Sequence, residues 1–212
     1  YLDPENYQIY LWRGHVYREL KQYDNCIKDF NKAIILNPEY LWTYGELAYT
    51  YEISGQTEMA FSMYEKAIKL DPFNYKLHSS IASLHYQNNN FKKALFYIDK
   101  SFELNNEEPI LLDYYLRADI FKRFGQIEKA KDDYDKLIKL SPENIDVYYT
   151  VGFFYQEIGE FDVALKFYNK ASDLNPLDTR IIISKAILYS LKLNDFNKAI
   201  SILNKGLKNI DD

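Results

Sequence analysis

The chain has 212 residues, of which 47% are hydrophobic and 27% are charged, and its formal net charge is −5. These values are typical of a globular protein with a buried core, and they exclude an intrinsically disordered chain. The negative charge without a Lys/Arg run excludes nucleic acid as the main partner, and no apolar run approaches the ~18 residues of a membrane-spanning helix, so we expect no membrane insertion.

Pairs of helices are predicted one after another along the whole chain. The second helix of a pair ends in a recurring sequence motif, which reads FNKAIILNP (30–38), YEKAIKLDP (64–72), YDKLIKLSP (134–142) and YNKASDLNP (168–176). Pro38 and Pro72 lie 34 residues apart, and Asn106 replaces the next proline of the series. A period near 34 residues is typical of helix-turn-helix repeats. The predicted units start near residues 7, 41, 75, 111, 145 and 179.

Small residues and turn residues recur at fixed places in these units. The eighth position, where two helices are expected to cross closely, carries Gly14, Ala48, Ala82, Ala118, Gly152 and Ala186. The second helix has its own series of small residues, namely Cys26, Ala60, Ala94, Ala130, Ala164 and, after a one-residue insertion, Ala199. A left-handed residue is expected between the two helices at Gly55, Gly125 and Gly159, with Asn89 and Asn194 in similar places.

This pattern resembles the tetratricopeptide repeat family along nearly the whole chain. The resemblance implies an all-α fold, a right-handed superhelix or solenoid of tandem helix-turn-helix repeats that share a continuous core. We predict a single array over residues 1–212 that is a fragment of a longer protein, because Leu2–Pro4 look like the end of a preceding unit. Position seven, usually apolar in the family, departs in three units with Arg13, Arg117 and Lys185. We expect either that these long stems snorkel or that the packing shifts there.

Two histidines are the strongest candidates for metal chemistry. His78 and His85 are seven residues apart, so they share one face of a helix. They stand where the other units carry mostly Tyr or Phe, and no Cys or carboxylate stands at ligand spacing on that face. We therefore interpret them as buried replacements for aromatic residues and expect no metal site.

The remaining reactive side chains give no sign of catalysis. Cys26 is the single cysteine and takes an alanine position, so we interpret it as a small buried thiol. The carboxylate pairs Glu107/Glu108 and Asp132/Asp133 are interpreted as solvated charges. Neither a phosphate-binding loop nor a nucleophile motif is present, so we expect no enzyme activity and no cofactor.

The resemblance places the first helix of each unit along a concave groove. Tyr and Trp offer large contact areas at low entropy cost, so groove aromatics favour a peptide or a partner helix as ligand. The predicted peptide-binding residues are His15, Trp42, Tyr49, Tyr115, Asp119, Tyr149 and Phe153. Tyr115, Tyr149 and Phe153 are expected to form one strip with Asp119 as a polar anchor, and the same rings could instead pack between units.

The predicted function is a non-catalytic scaffold that binds another protein or a peptide, with the cytoplasm as the favoured location. The alternative is a spacer or substrate-docking arm attached to a catalytic domain elsewhere in the full-length chain. A further expectation is end-to-end self-association of the fragment through the apolar face of the last hairpin, which carries Ile200, Leu203 and Leu207.

Overall fold

The computed structural model describes residues 5–105 and 110–208, and every regular element within these ranges is a helix. The α helices are α1 Tyr7–Glu19, α2 Tyr23–Leu36, α3 Leu41–Ile53, α4 Thr57–Leu70, α5 Tyr75–Gln87, α6 Phe91–Leu104, α7 Leu111–Arg123, α8 Ile127–Leu140, α9 Ile145–Glu157, α10 Phe161–Leu174, α11 Thr179–Ile187 and α12 Phe196–Lys208. The expectations for Leu2–Pro4, Asn106 and Glu107/Glu108 lie outside the described residues.

Each odd-numbered helix begins at the residue where a repeat unit was predicted to start. The all-α class, with tandem helix-turn-helix repeats, is therefore confirmed. The chain divides into two compact units, residues 1–125 with α1 to α7 and residues 126–212 with α8 to α12. The single array over residues 1–212 stays a prediction.

The eighth position is small because an aromatic ring of the second helix lies against it. A Cβ atom added to Gly14 would come within 2.6 Å of a ring carbon of Phe30, and one added to Gly152 would come within 2.7 Å of Tyr168. Real Cβ atoms do not approach carbon this closely, since the optimum separation of two carbon atoms is about 3.5–4.0 Å. The close helix crossing predicted at this position is confirmed.

The turns inside the helix pairs have the predicted left-handed residues. The φ angles are +78° at Gly55, +72° at Gly125 and +82° at Gly159, and Asn89 and Asn194 also have positive φ. The chain then closes the helix end with a backbone bond, such as the 2.8 Å bond from the Gln56 N–H to the Tyr51 carbonyl.

Two features of the turns were not predicted. Lys21 takes the same place in the first unit with φ of +57°, although lysine has no special tolerance of this conformation. In the sixth unit, the residue that the sequence shows as an insertion is absorbed by a π-helical turn, Leu188–Lys192, after α11. The Leu193 N–H donates to the Leu188 carbonyl over five residues, the spacing that defines a π helix.

The two histidines are buried in the core of the first compact unit, as interpreted from the sequence. Nε2 of His78 lies 2.9 Å from the Pro72 carbonyl oxygen. In the second compact unit, the Tyr148 hydroxyl at the equivalent repeat position donates to the Pro142 carbonyl at 2.9 Å. His85 stacks on Tyr97, with ring centroids 5.5 Å apart. His78 thus replaces a tyrosine in its contacts as well as in its position.

Other interpretations of single residues have mixed outcomes. Cys26 is fully buried, with its Sγ 3.5 Å from the Thr50 hydroxyl, and burial raises the pKa of the thiol. The interpretation of Asp133 as a solvated charge is wrong, because this residue is buried and interacts with another residue. Asp133 corresponds in the repeat to Asp29, which is also buried, so this position serves the interior of a helix pair.

The long cation at position seven of the first unit is held by rings and by a carboxylate. The Arg13 guanidinium lies 5.5 Å from the Tyr10 ring centroid and 5.9 Å from that of Tyr17. It also donates two hydrogen bonds, of 2.6 and 2.7 Å, to the Asp29 carboxylate. The expected snorkelling of Arg13 is therefore combined with a bidentate ion pair.

Candidate peptide-binding site

One face of α3 carries exposed aromatic residues of the predicted groove. Trp42, Glu46 and Tyr49 are spaced by four and three residues, so they share a face of the helix. The side chains of Trp42 and Tyr49 are 57% and 46% exposed. Rings of this size are normally covered in a core, so their exposure here indicates a surface available for contact.

A polar network on α1 and α3 fixes the surroundings of these rings. The Arg18 guanidinium donates a 2.5 Å hydrogen bond to the Glu46 carboxylate and lies 5.2 Å from the Tyr49 ring centroid. A second nitrogen of Arg18 lies 3.1 Å from Nδ1 of His15. Arg18 and Glu46 are mostly covered, and the Arg18 guanidinium lies over the Tyr49 ring in a cation–π contact.

His15 takes part in this network as a neutral ring. Burial lowers its pKa, Glu46 opposes this effect and Arg18 reinforces it. A neutral imidazole accepts a hydrogen bond at Nδ1 from Arg18, so the 3.4 Å approach of Nδ1 to the Glu46 carboxylate is a close contact and not an ion pair. The charge of the cluster is thus balanced internally by Arg18 and Glu46.

The sequence prediction missed Trp12, which belongs to the same surface. Its ring centroid is 5.6 Å from that of His15, and its side chain is 69% exposed. Trp12 and Trp42 are the only tryptophans of the chain. The helical spacing of three residues to His15 was the signal that could have identified Trp12. We call the surface formed by Trp12, His15, Arg18, Trp42, Glu46 and Tyr49 the tryptophan face.

The other two predicted residues of the first compact unit, Tyr115 and Asp119, lie on α7. Tyr115 is partly exposed, whereas Asp119 is buried. The Asp119 carboxylate accepts hydrogen bonds from Tyr86 at 2.7 Å and Arg123 at 2.5 Å, and the Lys122 ammonium lies 2.9 Å away. Burial disfavours its ionisation, but these donors outweigh burial and hold its pKa below the usual value. Asp119 therefore organises neighbouring side chains of its own unit.

The predicted residues of the second unit differ from each other in their packing. Tyr149 packs on the core, with its ring centroid 6.1 Å from that of Tyr168 and 5.2 Å from the Arg180 guanidinium. Phe153 is 43% exposed. Since Tyr115 belongs to the first unit and Tyr149 and Phe153 to the second, the strip that combines them stays a prediction.

No group of three or more His, Cys, Asp or Glu side chains among residues 5–105 and 110–208 is arranged to hold a metal ion. In the same ranges, no helix has the length and apolar character needed to cross a bilayer.

Tandem helix pairs with an exposed aromatic face define a helical-repeat protein. Tetratricopeptide repeat models match residues 7–40 and 43–74, and the model described as "N-terminal acetyltransferase A, auxiliary subunit" matches residues 98–209. The chain belongs to the tetratricopeptide repeat family and, through residues 98–209, to the repeat family of these auxiliary subunits. The resemblance inferred from the sequence is confirmed.

Individual relatives share this repeat architecture. Anaphase-promoting complex subunit 3 of Schizosaccharomyces pombe is 24% identical over 181 residues, which are 85% of this chain and 27% of that protein. The pilus biogenesis factor PilW has a TM-score of 0.81 at 12% identity, covering 97% of this chain and 94% of its own. YrrB, described as a repeat protein with an unusual peptide-binding site, has a TM-score of 0.67 at 19% identity, covering 86% and 93%. The chain spans 23–37% of the length of four curated relatives.

Proposed function

We propose that this chain is a non-catalytic scaffold that binds an extended peptide or a partner helix on the tryptophan face. The observation that carries the proposal is the exposure of both tryptophans beside a preorganised cluster. Trp12 and Trp42 are 69% and 57% exposed, and Arg18 and Glu46 hold the cluster between them in place. Tryptophan, tyrosine and arginine are the residues that most often dominate binding energy at protein interfaces.

The chemistry of the face favours a ligand with apolar anchor residues. Arg18 already donates to Glu46, and His15 is neutral, so the face has no free cation for a carboxylate. Its exposed area is aromatic, with the rings of Trp12, Trp42 and Tyr49. Leu, Ile, Met or Phe side chains of a ligand would bury these rings and gain about 25 cal/mol for each Å² of apolar surface removed from water.

A second candidate function is the spacer or docking arm of a larger assembly that carries a catalytic part. The match to a family described as auxiliary subunits of an acetyltransferase favours this reading. The two candidates agree that the repeats bind protein. They differ in whether the ligand is an independent partner or a catalytic polypeptide, which the sequence of the full-length gene and its co-purified subunits would decide.

Intrinsic tryptophan fluorescence tests the main proposal directly. Random peptides displayed on phage are selected against the chain, and the selected peptide is then titrated in solution. Because both tryptophans lie on the proposed face, binding should shift their emission to shorter wavelength. Tyr49→Ser should weaken binding by on the order of 2 kcal/mol, or about 30-fold.

The matched control is Phe73→Ala. Phe73 is an exposed aromatic residue between α4 and α5, outside the first helices, so its loss should leave the affinity unchanged. Circular dichroism of each variant verifies that helix content is retained. A peptide that binds with full affinity to the folded double variant Trp42→Ala/Tyr49→Ser would refute the assignment of the tryptophan face.

A further inference from the structure

A cavity in the second compact unit is lined by three lysine side chains and by no carboxylate. It has a volume of about 340 Å³ and lies between α10, α11 and α12. Its lining includes Lys185 from α11, Lys198 and Lys205 from α12, and the polar residues Asn169 and Ser172 from α10. We call this site the lysine cavity. Lys198 and Lys205 are exposed and Lys185 is half-buried, and no Asp or Glu stands among the lining residues.

Lys185 is at position seven of the sixth repeat unit, and in the first repeat unit this position forms an ion pair. The equivalent residue is Arg13, whose guanidinium binds the Asp29 carboxylate. Cys26 corresponds to Ala199 in the repeat, so three residues further on Asp29 corresponds to Ile202, which lines the lysine cavity. The sixth unit therefore keeps the cation but has an apolar side chain in place of its carboxylate partner.

The three ammonium groups have no anionic partner in the described part of the chain. None of them makes a hydrogen bond or an ion pair with a residue of the described ranges. Burial lowers the pKa of Lys185, Asp173 opposes this effect at longer range, and Lys205 and Lys198 add to it. A bound anion would relieve both the burial cost of Lys185 and the repulsion among the three lysines.

We propose that the lysine cavity binds a phosphate group. A phosphate monoester carries about −1.5 to −2 charges at pH 7 and three strong acceptor oxygens, which suit three ammonium donors. The neighbouring Asn169, Ser172 and Ser201 side chains supply further amide and hydroxyl donors. A single carboxylate would neutralise only one of the three lysines.

The size of the cavity suits more than a bare ion. Its volume of about 340 Å³ lies at the lower end of the usual range for small-molecule sites, about 300–1,000 Å³. The phosphate can therefore be free or can be carried by a small group such as a phosphorylated serine side chain. Because the site lies on α10 to α12, this inference does not rest on the proposed role of the tryptophan face.

Calorimetric titration of the whole chain tests the proposal with two probes. The first is inorganic phosphate, and the second is a phosphoserine peptide with its unphosphorylated form as reference. Lys185→Met keeps the length of the side chain and removes its charge, so it should weaken binding of the preferred probe by about tenfold or more. Lys166→Met removes an exposed lysine of α10 that does not line the cavity, and it should leave the affinity within about twofold.

The two probes also distinguish the source of the phosphate. Tighter binding of the phosphopeptide assigns the site to a phosphorylated protein, and equal binding assigns it to free phosphate. Both results support the proposal when Lys185→Met weakens them and Lys166→Met does not. If Lys185→Met does not fold, Lys198→Met takes its place, because Lys198 is exposed and lines the same cavity. Absence of binding for both probes up to about 10 mM, or equal losses in Lys185→Met and Lys166→Met, would overturn the proposal.

Discussion

Adding one methyl group at each of two helical glycines, one in α1 and one in α3, should have different effects on stability. Gly14 in α1 lies against a ring of α2: a new Cβ would lie 2.6 and 2.8 Å from two ring carbons of Phe30. Gly45 lies within α3, and its new Cβ would meet only a methyl carbon of Leu77 at an ordinary 3.8 Å. Both substitutions gain the helix preference of alanine over glycine, about 0.8–1 kcal/mol. Only Gly14→Ala adds a steric clash.

The size of the clash follows from the distances. To restore a separation of about 3.5–4.0 Å between carbon atoms, the Phe30 ring must move by about 1 Å. Phe30 is fully buried, so its ring can move only against the side chains of the core. Overpacking of this kind costs about 1–3 kcal/mol. Gly45→Ala should therefore be stabilised by up to about 1 kcal/mol, and Gly14→Ala should be less stable than Gly45→Ala by about 1–3 kcal/mol.

Urea denaturation measures this difference, provided that the m value stays unchanged between the variants. The double variant Gly14→Ala/Phe30→Leu provides an internal check, since the smaller side chain leaves room for the methyl group. Its loss should be smaller than the sum of the two single losses, as expected for residues in direct contact. Equal stabilisation by Gly14→Ala and Gly45→Ala would refute the steric reading of the eighth position.

Three further predictions concern the turn, the core and the end of the chain. Lys21→Gly should raise the unfolding free energy by about 0.5–1 kcal/mol, measured in urea, because it removes the cost of a left-handed lysine. Burial, with the help of Lys93, holds the pKa of His85 below its unfolded value of about 6.5, so the wild type should lose stability as pH falls from 6.5 towards the folded pKa. Thermal melts of His85→Phe over the same pH range should lack this part of the loss. Melting temperatures of the two proteins that fall in parallel with pH would contradict the prediction. Ile200 and Leu207 are exposed on α12, so the chain should self-associate and show a concentration-dependent mass in sedimentation. The double variant Ile200→Lys/Leu207→Lys should abolish this dependence. A wild type that stays monomeric at every concentration would contradict the prediction.

The repeat positions that pack the helices together could be predicted because each is required in several units. Gly55, Gly125 and Gly159 predict turns of one kind, and the structure gives all three positive φ angles. The same reasoning missed Lys21, since a single residue of ordinary type gives no sign that the fold forces its backbone. The insertion before Ala199 was visible in the sequence, but its conversion into a π-helical turn depends on how α11 continues.

The candidate site was predicted less well because it depends on contacts that vary between units. Trp42 and Tyr49 were selected from their helical positions, and both side chains are exposed. Asp119 was expected as a polar anchor, yet its burial and its donors come from neighbours such as Tyr86 on another helix. The sequence pattern identifies which face of a helix a residue occupies, but it does not specify the partner that meets the residue there.

The ninth position of the repeat explains how one scaffold can carry different surfaces. It holds a histidine, a tyrosine, a serine, an aspartate, a phenylalanine and an isoleucine in the six units, namely His15, Tyr49, Ser83, Asp119, Phe153 and Ile187. Because all six first helices start at the equivalent residue and the first five have the same length of 13 residues, the scaffold does not demand any one of these side chains. Tyr49→Ser therefore introduces a residue that the third unit already accommodates at the equivalent place. A loss of binding in this variant with unchanged melting temperature would report on the surface alone, and a matching loss of stability would mean that Tyr49 packs the scaffold instead of serving the ligand.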